Sequence, residues 1–457
     1  MEVDQVKETG SGSLAWSLDH LPNEILLKIF SSFNFWELIF YTKISPRWNK
    51  LCFYLVRDRV ALELQPEMLV PPQEWTQNRR YRNVRFENAL LPDFDSSCLQ
   101  PLAEHVQRLK LTFLEADDGP LVEFLRPFVK LESLELKMGK MHPRKSRPRF
   151  LKACSGILPA LRQLTIRCCY MKLMGLLAEV APRLVSLDLE LLIRLLPLFF
   201  ECQFNALESL TLRLNMTGSN GKTITDTFPK EKLVQFLSQM KHVRKFAIFV
   251  EFFHPAFDVA AALTAIEELT LGGNFWVLPI KTIFKCLDQL PQLRTLNIAV
   301  DSFHWLELEK PLPHVTTLNI TGSVRIHLPT LARTFPNLRS LAVILRDIST
   351  AAELNFALSA WENSMEELSM QISLEFVQKL IVLFSTLRKI RKIIFDFEDD
   401  YMDDIAFLSA IGGQDTLQEL HIRRVRGSAW RDTVPELFDR WTSSCAVFVN
   451  GIRVGRS

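Results

Sequence analysis

The sequence predicts an α/β chain in two parts: a small module of three helices near the N-terminus, then a long array of similar units, each a strand followed by a return segment. Three observations predict it. A pattern of apolar residues, L-x-x-L-x-L with other apolar residues allowed, starts thirteen times between Val106 and Leu417. The starts lie 25, 30, 23, 23, 36, 23, 27, 22, 23, 27, 25 and 27 residues apart, so one unit recurs along most of the chain. The stretch from Leu21 to Phe30 instead spaces its apolar residues as a helix does.

Taken in order, Met1 to Ser17 is polar and contains Gly10-Ser11-Gly12-Ser13, and the expectation is a disordered tail. It lacks the charged start and apolar centre of a secretion signal. No uncharged apolar run of about 18 residues occurs anywhere, so no membrane span is expected. The first helix should open at Pro22, whose missing N–H would be unpaired at the first helical position anyway. Glu24 then lies in the first turn, where its charge suits the helix dipole. Ile25, Leu26, Ile29, Phe30 and Phe33 are expected to share one apolar face. A second helix is expected from Trp36 to Tyr41 and a third from Pro46 to Arg57. Three such short helices make a thin core, so the module is expected to complete itself on a partner.

Leu21-Pro22-x-Glu24, Ile29-Phe30, Glu37-Leu38 and Ser45-x-Arg47-Trp48 occur in an order and at a spacing that resemble the F-box, over residues 18 to 57. The resemblance implies that the module binds the Skp adaptor, which bridges it to a cullin–RING ubiquitin ligase. It implies adaptor contacts at Leu21, Pro22, Glu24, Ile25, Ile29, Phe30, Leu38 and Trp48, with Glu24 and Trp48 also open to a structural reading. Two features depart from the family. Phe33 stands where leucine is usual, and Asn34-Phe35-Trp36 replaces a more polar turn, so a bulkier core is expected.

Residues 58 to 80 hold Pro66, Pro71 and Pro72 and read as a linker. Residues 81 to 424 read as the array, about 13–14 units with weaker copies at Tyr81, Val106, Val243 and Ile390. The spacing and pattern resemble a leucine-rich-repeat solenoid. That implies a curved parallel sheet inside and helices outside, stacked because one unit cannot bury its apolar face alone. Outer helices are expected at Met171–Ala181, Lys281–Leu290 and Leu374–Leu387. Pro159, Pro182, Pro291, Pro313 and Pro336 stand two residues before their units, at the bend into the strand. Residues 425 to 457 leave the pattern and read as a cap, with a helix at Val434–Trp441, a strand at Ala446–Val449 and a turn at Asn450-Gly451.

The residues between the leucines should face the concave side. Early strands put charges there, among them Arg108, Lys110, Glu135, Arg167, Asp188, Glu190 and Arg213. Strands from Ile266 to Val343 instead present small, uncharged residues that a partner chain could approach closely. Thr270, Asn297 and Asn319 are the substrate-binding candidates on that floor, with Phe252, Phe275 and Trp305 as aromatic candidates beside it. Basic residues in 137–149 could grip an acidic segment, though a solvated insertion explains them as well. Gly221-Lys222-Thr223 lacks the first glycine of a phosphate loop, and the acids of 396–404 lack a calcium pattern.

A net charge of +2 gives no global pull toward nucleic acid or membrane. Eight cysteines lack metal spacing, which points to reduced thiols in the cytoplasm or nucleus. Nine histidines stand beside no nucleophile motif, so neither catalysis by the chain itself nor a metal or cofactor is expected. The reading is a substrate-recognition subunit of an SCF-type ubiquitin ligase. The alternatives are a repeat scaffold without ligase function and a receptor gated by a small molecule in the concave face.

Overall fold

Alternate residues of an extended chain point to opposite faces, so each apolar-x-apolar pair aims both its apolar side chains one way. Strands built like this are stable only when a neighbour covers the same side in register. The computed structural model describes residues 18–64, 79–90, 100–115, 118–138, 156–169, 173–215, 230–250, 262–273, 287–304, 310–325, 328–344, 351–372, 387–397, 416–424 and 445–454. They fall into two compact units, Met1–Pro143 with Gly156–Leu161, and Arg144–Ser155 with Arg162–Ser457.

In the first unit, α1 (Asn23–Phe30), α2 (Phe35–Tyr41) and α3 (Pro46–Val56) lead into β1 (Ala61–Leu64), β2 (Asn83–Leu90), β3 (Arg108–Glu115) and β4 (Ser133–Met138). These strands pair in parallel and in chain order. Segment 58–80, expected as a linker, therefore contributes a strand. Leu62 and Leu64 alternate with Glu63 and are buried like the leucines of later units. The apolar residue that opens other units is Arg59 here, which hid the unit from the sequence pattern.

The second unit continues the pattern with β5 (Gln163–Cys169), β6 (Ser186–Leu192), β7 (Ser209–Asn215), β8 (Lys245–Val250), β9 (Glu268–Gly273) and β10 (Thr295–His304). It goes on with β11 (Thr317–Arg325), β12 (Ser340–Ile344), β13 (Glu367–Ile372), β14 (Lys392–Phe397), β15 (Glu419–Arg423) and β16 (Ala446–Val449). Every pairing from β5 to β16 is parallel and sequential. Leu187, Leu210, Phe246, Leu269, Leu296 and Leu318 stand side by side in one buried row that runs on to Val447. The strand at Ala446–Val449, expected in the cap, thus extends the ladder. Among the described strands only β17 (Ile452–Val454) is antiparallel, turned back at Asn450 and Gly451, both at positive φ.

The units repeat their hydrogen bonds as well as their leucines. Where most of the strands begin, one carbonyl of the previous unit accepts two successive N–H groups. Glu267 and Glu268 donate to the Arg244 carbonyl, Arg294 and Thr295 to that of Glu267, and Thr316 and Thr317 to that of Arg294. The five prolines noted above lie in the turns or 3₁₀ segment just before these junctions and leave the shared carbonyls untouched.

Return segments carry short helices at Asp118–Leu125, Met174–Val180, Lys230–Ser238, Leu328–Thr334 and Ala351–Ala360. The helix expected at Met171–Ala181 is the one at Met174–Val180. Those expected at Lys281–Leu290, Leu374–Leu387 and Val434–Trp441 lie wholly or mostly outside the described residues, as does the tail to Ser17. Trp361 is fully buried and donates its indole N–H to the Phe335 carbonyl at 2.8 Å, tying one return segment to the one before. Burial pushes the Cys52 thiol up to about 11 and the Cys202 thiol to about 12, so both serve as protonated core residues. Among the described residues no helix is long and apolar enough to cross a membrane.

The helical module is held by an aromatic core. Phe30 lies 4.9 Å from Trp48 and 6.2 Å from Phe33, and Phe33 lies 5.0 Å from Tyr41. Phe33 thus fills space between two rings. Pro22 caps α1 from just outside, one residue earlier than expected, and its carbonyl accepts from Ile25 and Leu26. Arg47 donates to the Leu21 carbonyl and twice to Asn23 Oδ1, at 3.0 and 2.8 Å, which clasps the start of α1 to α3. Asn34 and Glu37 close a capping box on α2, and Ser45 caps α3.

Two substitutions test these contacts. Gly273 has φ +141° and an added Cβ would lie 2.0 Å from the Val250 carbonyl oxygen. Gly273→Ala should therefore cost about 3 kcal/mol or more in chemical denaturation, because the Cβ would meet a backbone oxygen, which cannot rotate away as a side chain can. Trp48→Ala should destabilise the module by about 3–5 kcal/mol, read as loss of hydrogen-exchange protection in α1 and α3.

Candidate functional site

Two surfaces collect the candidate residues. The first is on the helical module. Its sequence supplies more apolar side chains than three short helices can cover. On α1, Leu26 and Phe30 turn inward and are buried, while Ile25 and Ile29 turn outward, at 45% and 36% exposure. The single apolar face expected for this helix is therefore two faces. On α2, Leu38 is buried, but Trp36 and Phe40, one helical turn apart, are 76% and 65% exposed. Ile44, just after α2, is also exposed.

This divides the expected adaptor contacts. Pro22, Glu24, Ile25 and Ile29 are exposed and Leu21 is partly so. The side chains of Phe30, Leu38 and Trp48 are buried in the module and shape it from within. Sequence reasoning passed over Trp36, Phe40 and Ile44, the most exposed large apolar residues of α2 and its flank. The i, i+4 pair Trp36/Phe40, out of phase with Leu38, was the available signal.

The second surface is the open face of the strands in the second unit. Thr270, Asn297 and Asn319 occupy one register row on β9, β10 and β11. Asn297 Nδ2 donates to Thr270 Oγ1 at 3.0 Å and to Glu268 Oε1 at 3.2 Å, and Asn319 Nδ2 donates to Asn297 Oδ1 at 2.6 Å. Three of the six candidates are therefore one hydrogen-bonded ladder, bordered by Gly272, Ala299 and Ala342. Phe252, Phe275 and Trp305 lie outside the described residues.

The charges expected on this face are mostly paired across strands. Arg167 grips Asp188 with two hydrogen bonds, at 3.0 and 2.7 Å, and Arg213 reaches the same carboxylate at 3.4 Å. Asn215 donates to Glu190 at 2.8 Å, and Lys245 meets Glu268 at 3.1 Å. In the first unit Lys110 and Glu135 pair at 3.0 Å. Being partly exposed, such pairs steer register more than they stabilise.

Phe249 went unnoticed in the sequence, although alternation along β8 puts it on the open face. The Arg213 guanidinium lies over its ring at 4.1 Å, and its ring edge occupies the space that a side chain at Gly272 would need. At the far end His421 stacks on Phe448 with ring centres 4.5 Å apart. Hydrogen bonds from His421 and Lys392 hold the Glu419 carboxyl below the usual range.

Compared with known domain families, residues 18–58 match the F-box domain. No curated protein matches the sequence. Among solved structures, the chain is similar to one in the Toll–Spätzle complex of Drosophila, at 14% identity and TM-score 0.42, covering 85% of this chain and 55% of that one. It is similar to a leucine-rich-repeat protein of Leptospira interrogans at 12% identity and TM-score 0.33, covering 80% and 95%. It is also similar to a chain in the Rad7–Elc1 complex of yeast at 13% identity and TM-score 0.36, covering 89% and 90%. The chain thus carries an F-box domain at residues 18–58, and the strands that follow stack in parallel as an α/β, leucine-rich-repeat-like array.

Proposed function

We propose that this protein is the substrate-recognition subunit of an SCF-type ubiquitin ligase. In this reading the F-box docks on a Skp-type adaptor and through it on a cullin–RING core, while the array holds a protein substrate. The observation that carries it is the outward apolar surface of the matched F-box: Ile25 and Ile29 on α1, Trp36 and Phe40 on α2. Large exposed apolar groups on so small a module mark an interaction site. A bulky aromatic such as Trp36 is the kind of side chain that anchors one. Leu21, Pro22 and Glu24 would border the contact, and Phe30, Leu38 and Trp48 would hold its shape.

The chemistry in this reading is borrowed. The chain supplies proximity between a substrate lysine and the ubiquitin-charged enzyme, and other subunits supply the reacting groups. A cytoplasmic or nuclear setting follows from that role. The ladder of Thr270, Asn297 and Asn319, with Phe249 beside it, is the proposed substrate face. Its side chains are short, and it carries no unpaired charge that would repel a backbone.

Binding of purified protein to the Skp adaptor tests the first half. Ile25→Ala combined with Trp36→Ala should weaken binding by about tenfold or more, as truncated anchors do, with an unchanged melting temperature. Equal affinity for variant and wild type would overturn the assignment of this surface, and no binding by wild type would overturn the function. The substrate half is tested by Asn319→Arg, which sets a long charged side chain on the open face. It should lose ubiquitination targets that the wild type modifies while keeping the adaptor; an unchanged target set would move the substrate face elsewhere.

A further inference from the structure

The end of α3 poses a physical problem that residues far along the chain solve. A helix ends with carbonyls that lack partners, and a turn straight into a strand offers them few. Asn83, the first residue of β2, supplies what is missing. Its Nδ2 lies 3.3 Å from the Arg57 carbonyl, 3.0 Å from that of Asp58 and 3.2 Å from that of Val60. Two amide hydrogens thus serve three acceptors along the whole turn from α3 to β1.

Arg79 adds a second attachment. Its Nε donates to Asn49 Oδ1 on α3 at 3.1 Å and its Nη1 to the Tyr81 hydroxyl at 3.2 Å. The guanidinium lies 5.6 Å from the centre of the Phe53 ring, and Phe53 and Tyr81, both buried, meet edge-on at 4.9 Å. Arg82 reaches Asp58 at 2.9 Å on the exposed side. β1 itself pairs with β2 from Ala61 opposite Asn83 to Leu64 opposite Phe86. The helix, its turn and the first strand are thereby bound to β2 by side-chain and backbone contacts that do not run through residues 65–78.

We propose that Asn83 and Arg79 are positioning residues that lock the F-box to the first strands of the array. The inference rests on the adaptor reading in one respect: an adaptor held by α1 and α2 would then point in a fixed direction relative to β1–β4. Asn83 is suited to this because one amide spans three carbonyls, and aspartate, of the same shape, would present oxygen to oxygen.

Spin labels placed by non-natural amino acids at Ser31 and Lys130, both exposed, report the distance between the module and β4 in the full-length protein. Wild type should give one narrow distribution, and Asn83→Asp a broad one, while affinity for the Skp adaptor stays unchanged. A broad wild-type distribution, or a variant as narrow as wild type, would overturn the proposal. A second measurement reads the association directly. Once a protease site inserted after Val70 has been cut, the two pieces should co-elute at micromolar concentration. Arg79→Ala in the same nicked protein should weaken their association on the order of tenfold, as loss of charged hydrogen bonds does. Pieces that separate as soon as they are cut would contradict the proposal. Failure of wild type to bind the adaptor would defeat the ligase reading and leave both of these measurements able to decide the clamp.

Discussion

The in-register stacking of one strand on the next is the constraint from which the rest follows. A Leu-x-Leu strand can hide its apolar side only beside another that hides the same side. The row through Leu187, Leu210 and Phe246 shows the rule kept strand after strand. Once the inward positions are given to leucine, the positions between them are free to vary, and that is where the array differs from one place to another. On β6 and β7 they carry Asp188 and Arg213, paired across the gap. On β9 to β11 they carry the uncharged ladder from Thr270 to Asn319. The same stacking explains why glycine stands at 273, where the Val250 carbonyl comes too close for any side chain.

The helical module obeys the opposite constraint. It has too few neighbours to hide all its apolar residues, so it sorts them. Phe30, Leu38 and Trp48 make the interior; Ile25, Ile29, Trp36 and Phe40 are left in water. An exposed tryptophan costs solubility and is hard to explain in a module that acts alone. A partner that covers it removes the cost. The module and the first strand then meet through Asn83 and Arg79, polar side chains that fix geometry where an apolar seam would only add area.

Much of this was legible in the sequence, because periodicity reports burial directly. Thirteen units gave the strands and their order, and proline before the strand marked the turns. The F-box motif gave the three helices to within a residue or two. What stayed hidden depended on geometry that spacing does not encode. β1 was concealed because Arg59 stands where other units open with an apolar residue. Phe30 and Ile29 are neighbours in the motif, and only the packing of α3 decides that one is core and the other surface. Arg47 looked like part of a motif and is a clasp on Leu21 and Asn23. Asn83, an unremarked strand residue, spans three carbonyls from more than twenty positions earlier.

In the proposed function the two parts of the chain have separate tasks, the helices facing the ligase and the open strands facing a substrate. Hydrogen exchange of the full-length protein with and without the Skp adaptor tests this most directly. Added protection confined to peptides covering Ile25–Ile29 and Trp36–Phe40, with β9 to β12 unchanged, is the predicted result. Protection that appears on β9 to β12 and leaves α1 and α2 untouched would contradict the account.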